Sequence, residues 1–241
     1  MVMIYESLIP TPRMRRRAKN LELILENAMD LVVAHGWEGF SMHRLAKEVD
    51  YTPGALYRYF SSKDALISAL VVRILEELKT NIEAQTARAP KDPLLQILLA
   101  IQTYQNFAME APHRFGLLAV MMADPKELLA SDETAGPAVA AMLDVLGPLH
   151  EAVAELMGSH NSQMISQPQV SQMTLALFAS LQGALQLRKL HSRAPHIFDV
   201  TGISSSLTKT FLRGWGISDT EIELAFDRLS GIDSQSTSGS D

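Results

Sequence analysis

The 241-residue chain contains no cysteine. Disulfides and cysteine-ligated zinc are excluded, and the composition fits a reducing compartment. No apolar run approaches the roughly 18 residues that a membrane span needs. The first residues, "MVMIYESLIPTP", carry Glu6 and no basic start, so they lack the pattern of a secretory signal. The chain is therefore expected to be soluble and cytoplasmic, with no membrane partner. Catalytic signatures are missing too. The seven histidines (His35, His43, His113, His150, His160, His191 and His196) are scattered and none pair as HExxH. There is no phosphate-binding glycine loop and no GxSxG. These absences argue against an enzyme and against a bound metal or cofactor.

What is present is ordinary globular composition, with 47% hydrophobic and 20% charged residues. A chain of this length can bury a substantial core, as one large domain or two small ones. The formal net charge is −6, but it is uneven. Residues 1–64 hold nine Lys/Arg and eight Asp/Glu, leaving twelve and nineteen for the remainder. The beginning is thus about +1 and the rest about −7.

Periodicity calls for helices throughout. Residues 1–18 read as a flexible arm that ends in a basic cluster: Arg13, Arg15, Arg16 and Arg17. Leu21, Ile24, Leu25, Ala28, Leu31 and Val32 make one helical stripe, stopped by Gly36. Ser41 is a good N-cap for a short helix from Met42 to about Val49. Asp50-Tyr51 makes a turn. Thr52 caps the next helix, with Pro53 at its first position, expected to run to about Tyr59. Ser62 caps a fourth, long helix. Helices two and three are separated by only a couple of residues, the spacing of a helix-turn-helix.

Later helices are expected over Leu94–Glu110, Pro112–Met122, Pro137–Met157 with a kink at Gly147-Pro148, Val170–Leu190, Ile203–Trp215 and Glu221–Leu229. Residues 231–241, rich in Ser, Gly and Asp, read as a disordered tail.

The run "GWEGFSMHRLAKEVDYTPGALYRYFSSKDALI" resembles the DNA-binding domain of the TetR family of bacterial transcriptional regulators, over roughly Leu21 to Leu70. The likeness rests on a Gly-aromatic-Ser entry to helix two, Leu45-Ala46 inside it, and "GALYRYF-SKDAL" leading from helix three into helix four. The resemblance implies an all-α fold. A helix-turn-helix domain at residues 19–66 would precede a helical ligand-binding and dimerisation domain at 67–230. It also implies a homodimer on a near-palindromic double-stranded DNA operator, released by a small-molecule effector; most members repress and some activate. The turn departs from the family's usual Gly-Val, having Asp50-Tyr51 instead, which puts the docking angle in question.

Small residues at a helix tip let backbone approach a groove, so Thr52, Pro53, Gly54 and Ala55 are candidates for base edges. Leu56 and Phe60 are expected to point inward, with the hydroxyls of Tyr57 and Tyr59 set beside them to reach phosphates. Lys63, at a helix start, and Ser41 are further phosphate candidates. His43 and Arg44 stand where the family places DNA contacts, with Met42 beside them readable as packing. Arg58 reads equally as a phosphate contact or a solvated charge. With a DNA-binding domain following, the Arg13–Arg17 arm is placed near phosphates or a minor groove.

The middle helices are rich in methionine, which adapts to varied shapes. Tyr104, Gln105, Phe107, Met109, His113, Met121, Met142, Phe178 and Gln182 are candidate effector contacts, for a neutral, largely apolar molecule. The helices at 170–190 and 203–215 are candidates for the dimer interface, with Ala179, Gly183 and Ala184 permitting close approach. The alternative is a helical small-molecule carrier or enzyme with a degenerate DNA-binding head.

Overall fold

The computed structural model describes residues 11–36, 39–89, 91–123, 132–160 and 165–237, and all regular structure among them is helical. The all-α expectation holds. The chain divides into two compact units. One comprises residues up to Ile74 together with His113–Ala140; the other comprises Leu75–Pro112 and Ala141 onward.

In the first unit, α1 (Pro12–His35) starts earlier than its apolar stripe suggests. Thr11 caps it, its hydroxyl accepting from the Met14 amide at 3.2 Å, and Pro12 occupies a position where no N–H is needed. Residues 12–18, expected as flexible arm, are therefore the opening turns of a helix. The arginines stand on its exposed surface. Ile24, Leu25, Ala28, Met29, Leu31 and Val32 form its buried face. Gly36 ends it at φ 70°, ψ 171°, backbone that only glycine adopts without strain.

α2 (Met42–Glu48) packs against α1 and against α3 (Pro53–Leu56). The third helix is shorter than the sequence suggests, and residues 57–59 continue it only as a turn. α4 runs Lys63–Thr86 and begins in this unit. Leu45, Leu56, Leu66, Ile67 and Leu70 are fully buried, and Phe60 nearly so. α6 (Pro112–Ala123) adds buried Phe115, Leu117, Leu118 and Met121 to the same unit.

The second unit contains α5 (Pro93–Glu110), α8 (Gly147–His160), α9 (Gln167–Gln186), α10 (Val200–Gly214) and α11 (Asp219–Thr237). α7 (Asp132–Val145) precedes them and straddles the division. The expected single kinked helix across Gly147-Pro148 is two helices broken at Leu146. Pro148 lies in the first turn of α8, where its missing donor is harmless. α8 packs on α5 and α9, α9 on α10, and α11 on α5 and α10. A 3₁₀ turn, Leu187–Leu190, closes α9. α11 is longer than expected and takes in residues 231–237 of the anticipated disordered tail; residues 238–241 lie outside the described residues.

No helix among the described residues is long and apolar enough to cross a membrane.

Candidate nucleic-acid interface and effector-site residues

The turn between α2 and α3 shows how Asp50 replaces a more usual glycine. Asp50 has φ 55°, the left-handed conformation. The Tyr51 amide donates to the Ala46 carbonyl at 2.8 Å and the Asp50 amide to Lys47 at 3.4 Å. This pair of bonds is a Schellman closure of α2. Aspartate tolerates the conformation better than most side chains, so the helix-turn-helix survives the departure. Tyr51 does not splay outward: its ring stacks on Tyr59 with centroids 6.2 Å apart. Desolvation, then the hydrogen bond to the Tyr59 hydroxyl, raises the Tyr51 phenol above its usual pKa.

Three short-range caps set the helix starts that point outward. Ser41 accepts from the Arg44 amide at 3.2 Å, Thr52 from Ala55 at 3.2 Å, and Ser62 from Ala65 at 3.0 Å. Each is worth about 1 kcal/mol. Thr52 and Gly54 are exposed, while Pro53 and Ala55 are half-buried. A Cβ built on Gly54 would meet nothing within 4 Å. Nothing among the described residues explains glycine there, although it costs a helix about 1 kcal/mol relative to alanine.

The aromatic candidates separate. Tyr57 is 50% exposed. Tyr59 is tied to its own chain: its hydroxyl accepts from Asn20 Nδ2 at 3.0 Å, and the Arg17 guanidinium lies 5.4 Å over its ring. Arg17 also donates to the Arg58 carbonyl at 3.4 Å. α1 thereby brings Arg17 to the end of the turn after α3, with the charges of Arg16 and Arg58 acting on Tyr51. Arg13 and Arg15 are exposed on the same opening turns of α1. Lys63 begins α4 and its ammonium donates to the Phe40 carbonyl at 3.4 Å. His43 and Arg44 are exposed, and Arg44 also reaches the Gly39 carbonyl. Met42 is a correction: only 7% of it is exposed, because the first turn of α2 directs it into the core.

The expected effector contacts are divided between the two units. Met121 and His113 belong to the first unit, Met121 buried in its core and His113 exposed. Met109 is 58% exposed. Gln105 and Met142 are half-buried in the second unit. Tyr104, Phe107, Phe178 and Gln182 do come together there. The Tyr104 hydroxyl donates to Gln182 Oε1 across 78 residues of sequence. Its ring lies 6.4 Å from that of Phe107 and 5.6 Å from that of Phe178. Burial pushes the Tyr104 phenol well above its usual range, against the opposing pull of the Arg188 charge. Desolvation lowers Arg188, whose guanidinium donates to the carbonyls of Leu185 and Pro112. Gln182 Nε2 is buried and has no hydrogen-bond partner, a condition that costs about 1–3 kcal/mol. Arg188 and Asn20 are residues that sequence reading missed. Their partners lie 76 and 39 residues away, and no local pattern announces them.

On α9, Leu175, Ala176, Ala179 and Gly183 are exposed along one face, whereas Ala184 is buried and faces inward. Among the described residues no group of three or more His, Cys, Asp or Glu side chains is placed to hold a metal.

Fold and site define a helical protein that presents a helix-turn-helix. The model of the family described as bacterial regulatory proteins, tetR family, matches residues 24–70. Through these residues the chain carries a helix-turn-helix domain of the TetR type. It is 32% identical over 90 residues to the HTH-type transcriptional regulator PksA of Bacillus subtilis (strain 168), a match covering 36% of this chain and 44% of that protein. The matched segments span about half the length of the curated relatives. Two solved structures share the fold over most of their length. RolR in complex with resorcinol has a TM-score of 0.62 at 15% identity, covering 88% of this chain and 94% of that one. BioQ with its double-stranded DNA operator has a TM-score of 0.53 at 21% identity, covering 78% and 98%.

Proposed function

We propose that the protein is a ligand-responsive transcriptional regulator, a repressor that holds a near-palindromic DNA operator as a homodimer and leaves it when a small, largely apolar molecule binds. The observation that carries the DNA-binding part is Gly54. It sits exposed near the tip of a capped four-residue helix with open space around it. A missing side chain at such a tip lets the backbone approach a base-pair edge that a Cβ would hold off. Thr52, Pro53 and Ala55 then face bases. Ser41, His43, Arg44, Tyr57 and Lys63 surround them with donors for phosphates, and the arginines at the start of α1 add charge. The fold shared with a DNA-bound and a ligand-bound structure supports the reading.

Two copies meet, in this reading, through α9 and α10. The exposed Ala179 and Gly183 on α9 permit close helix approach, and the exposed Leu175 gives apolar area to bury. The effector sits among the aromatic residues around Tyr104.

The test is a gel-shift titration on the DNA flanking the protein's own gene, run at several salt concentrations. Sequence-selective, salt-sensitive retardation is expected. Gly54→Leu is expected to weaken it at least tenfold while leaving the melting temperature within a few degrees. Absence of any selective shift overturns the reading.

A further inference from the structure

The buried amide of Gln182 is half satisfied. Its Oε1 accepts from the Tyr104 hydroxyl, while its Nε2 has no hydrogen-bond partner, although only 7% of the residue is exposed. Buried amide groups are paired with few exceptions, and each exception calls for an account. Here the missing partner must be an acceptor, because Nε2 only donates.

The surroundings restrict what brings that acceptor. Phe107 and Phe178 flank the Tyr104 ring and are both half-buried, so parts of these rings remain reachable from solvent. Aromatic faces and edges favour another flat ring offset or edge-on to them. The positive charge of Arg188 acts on Tyr104 and favours electron-rich oxygen nearby. These groups lie on α5, α9 and the turn that closes α9, all within the second unit.

We propose that Gln182 Nε2 is the polar anchor of the effector, and that the effector is a planar aromatic molecule bearing an oxygen acceptor, a carbonyl or a carboxylate. The ring lies against Phe107 and Phe178, and the oxygen accepts from the amide. A ligand without that oxygen leaves Nε2 unpaired and forfeits the selectivity. This deepens the ligand-responsive reading above and rests on it.

The purified full chain is titrated by calorimetry, without DNA, with acetophenone, benzoate and toluene. These share one ring and differ in a neutral acceptor, a charged acceptor and none. At least one of the oxygen-bearing probes is expected to bind ten or more times tighter than toluene. Acetophenone ahead of benzoate supports a neutral carbonyl effector; the reverse order supports a carboxylate. In Gln182→Leu the preference over toluene is expected to fall below threefold, with toluene itself changed by less than threefold. Gln182→Glu keeps an acceptor for the Tyr104 hydroxyl and replaces Nε2 by oxygen, so it is expected to lose the preference as well. It carries the test if Gln182→Leu fails to show a helical spectrum and a cooperative melt. Equal binding of all three probes, no binding of any, or variants that keep the preference would overturn the proposal; a lone water satisfying the amide gives the first result. A gel shift run in parallel separates the two readings, since its failure strikes DNA recognition and leaves the calorimetry standing.

Discussion

The helix-turn-helix satisfies its helix starts from three residues away: Ser41 to Arg44, Thr52 to Ala55, Ser62 to Ala65. The second unit joins polar groups across far longer stretches. Tyr104 meets Gln182 across 78 residues, Arg188 meets Pro112 across 76, and Arg228 meets Asp92 across 136. In the first unit, the groups that cap these three helices are written beside the backbone they serve. In the second unit, polar side chains are assembled by packing and one of them, Gln182, is left partly unpaired. A short motif can specify the first arrangement. Only the packed fold can produce the second.

The sharpest way to break the contrast is to empty the head's core. Leu56 is fully buried at the end of α3. Leu56→Ala is expected to cost about 2–5 kcal/mol. Chemical denaturation should show the loss, and gel shift should show operator binding failing with it. If stability is kept, α3 is not held by that anchor.

Next is the turn. Asp50 holds φ 55°, where a β-branched side chain is strained. Asp50→Val is expected to cost about 1–3 kcal/mol, and Asp50→Gly is expected to be neutral or stabilising. Thermal melts of the two variants read the difference; equal melting temperatures would mean the turn relaxes freely.

A smaller effect separates the two tyrosines. Tyr59→Phe removes the acceptor of Asn20 and is expected to cost about 1 kcal/mol of stability. Tyr57, half exposed, should lose affinity for the operator instead on Tyr57→Phe, with an unchanged melt. Stability and DNA affinity are measured on both; matching profiles would erase the distinction between a structural and a contacting tyrosine.

The smallest effect lies at the start of α11. Glu221 accepts from the Ser218 amide at 3.1 Å, and the Ser218 hydroxyl accepts from the Glu221 amide at 3.3 Å. Hydrogen bonds from Ser218, then from His160, lower the Glu221 carboxyl to about 2. The carboxylate form is the one favoured by folding. Its contribution is therefore fully present above the unfolded value of 4.5 and is lost as pH falls through about 2. Glu221→Gln is expected to melt slightly lower than the native chain at pH 7 and equally near pH 2. A difference that persists at pH 2 would place the effect elsewhere.

The helix stripes, the caps at Ser41, Thr52 and Ser62, and the buried Leu56 and Phe60 were all legible in the sequence, because they depend on offsets of three or four residues. The opening turns of α1 were not, because a run of arginines carries no apolar periodicity. What makes them helical is the Thr11 cap and Pro12, and the packing of Arg17 on Tyr59 anchors them. Met42 looked like a neighbour of surface residues by position, and only the direction of the first turn of α2 shows it buried.

The sequence by itself determined that this chain is helical, that it carries a TetR-type helix-turn-helix, and that Asp50-Tyr51 makes an unusual turn within it. Tertiary structure decided that Tyr51 stacks on Tyr59, that Tyr59 is tied to Asn20 of α1 while Tyr57 stays exposed, and that the Tyr104 hydroxyl donates to Gln182. Periodicity marks which face of a helix is buried, but it carries no information about which distant residue will be found there. Pairings of that kind exist only once the chain has packed.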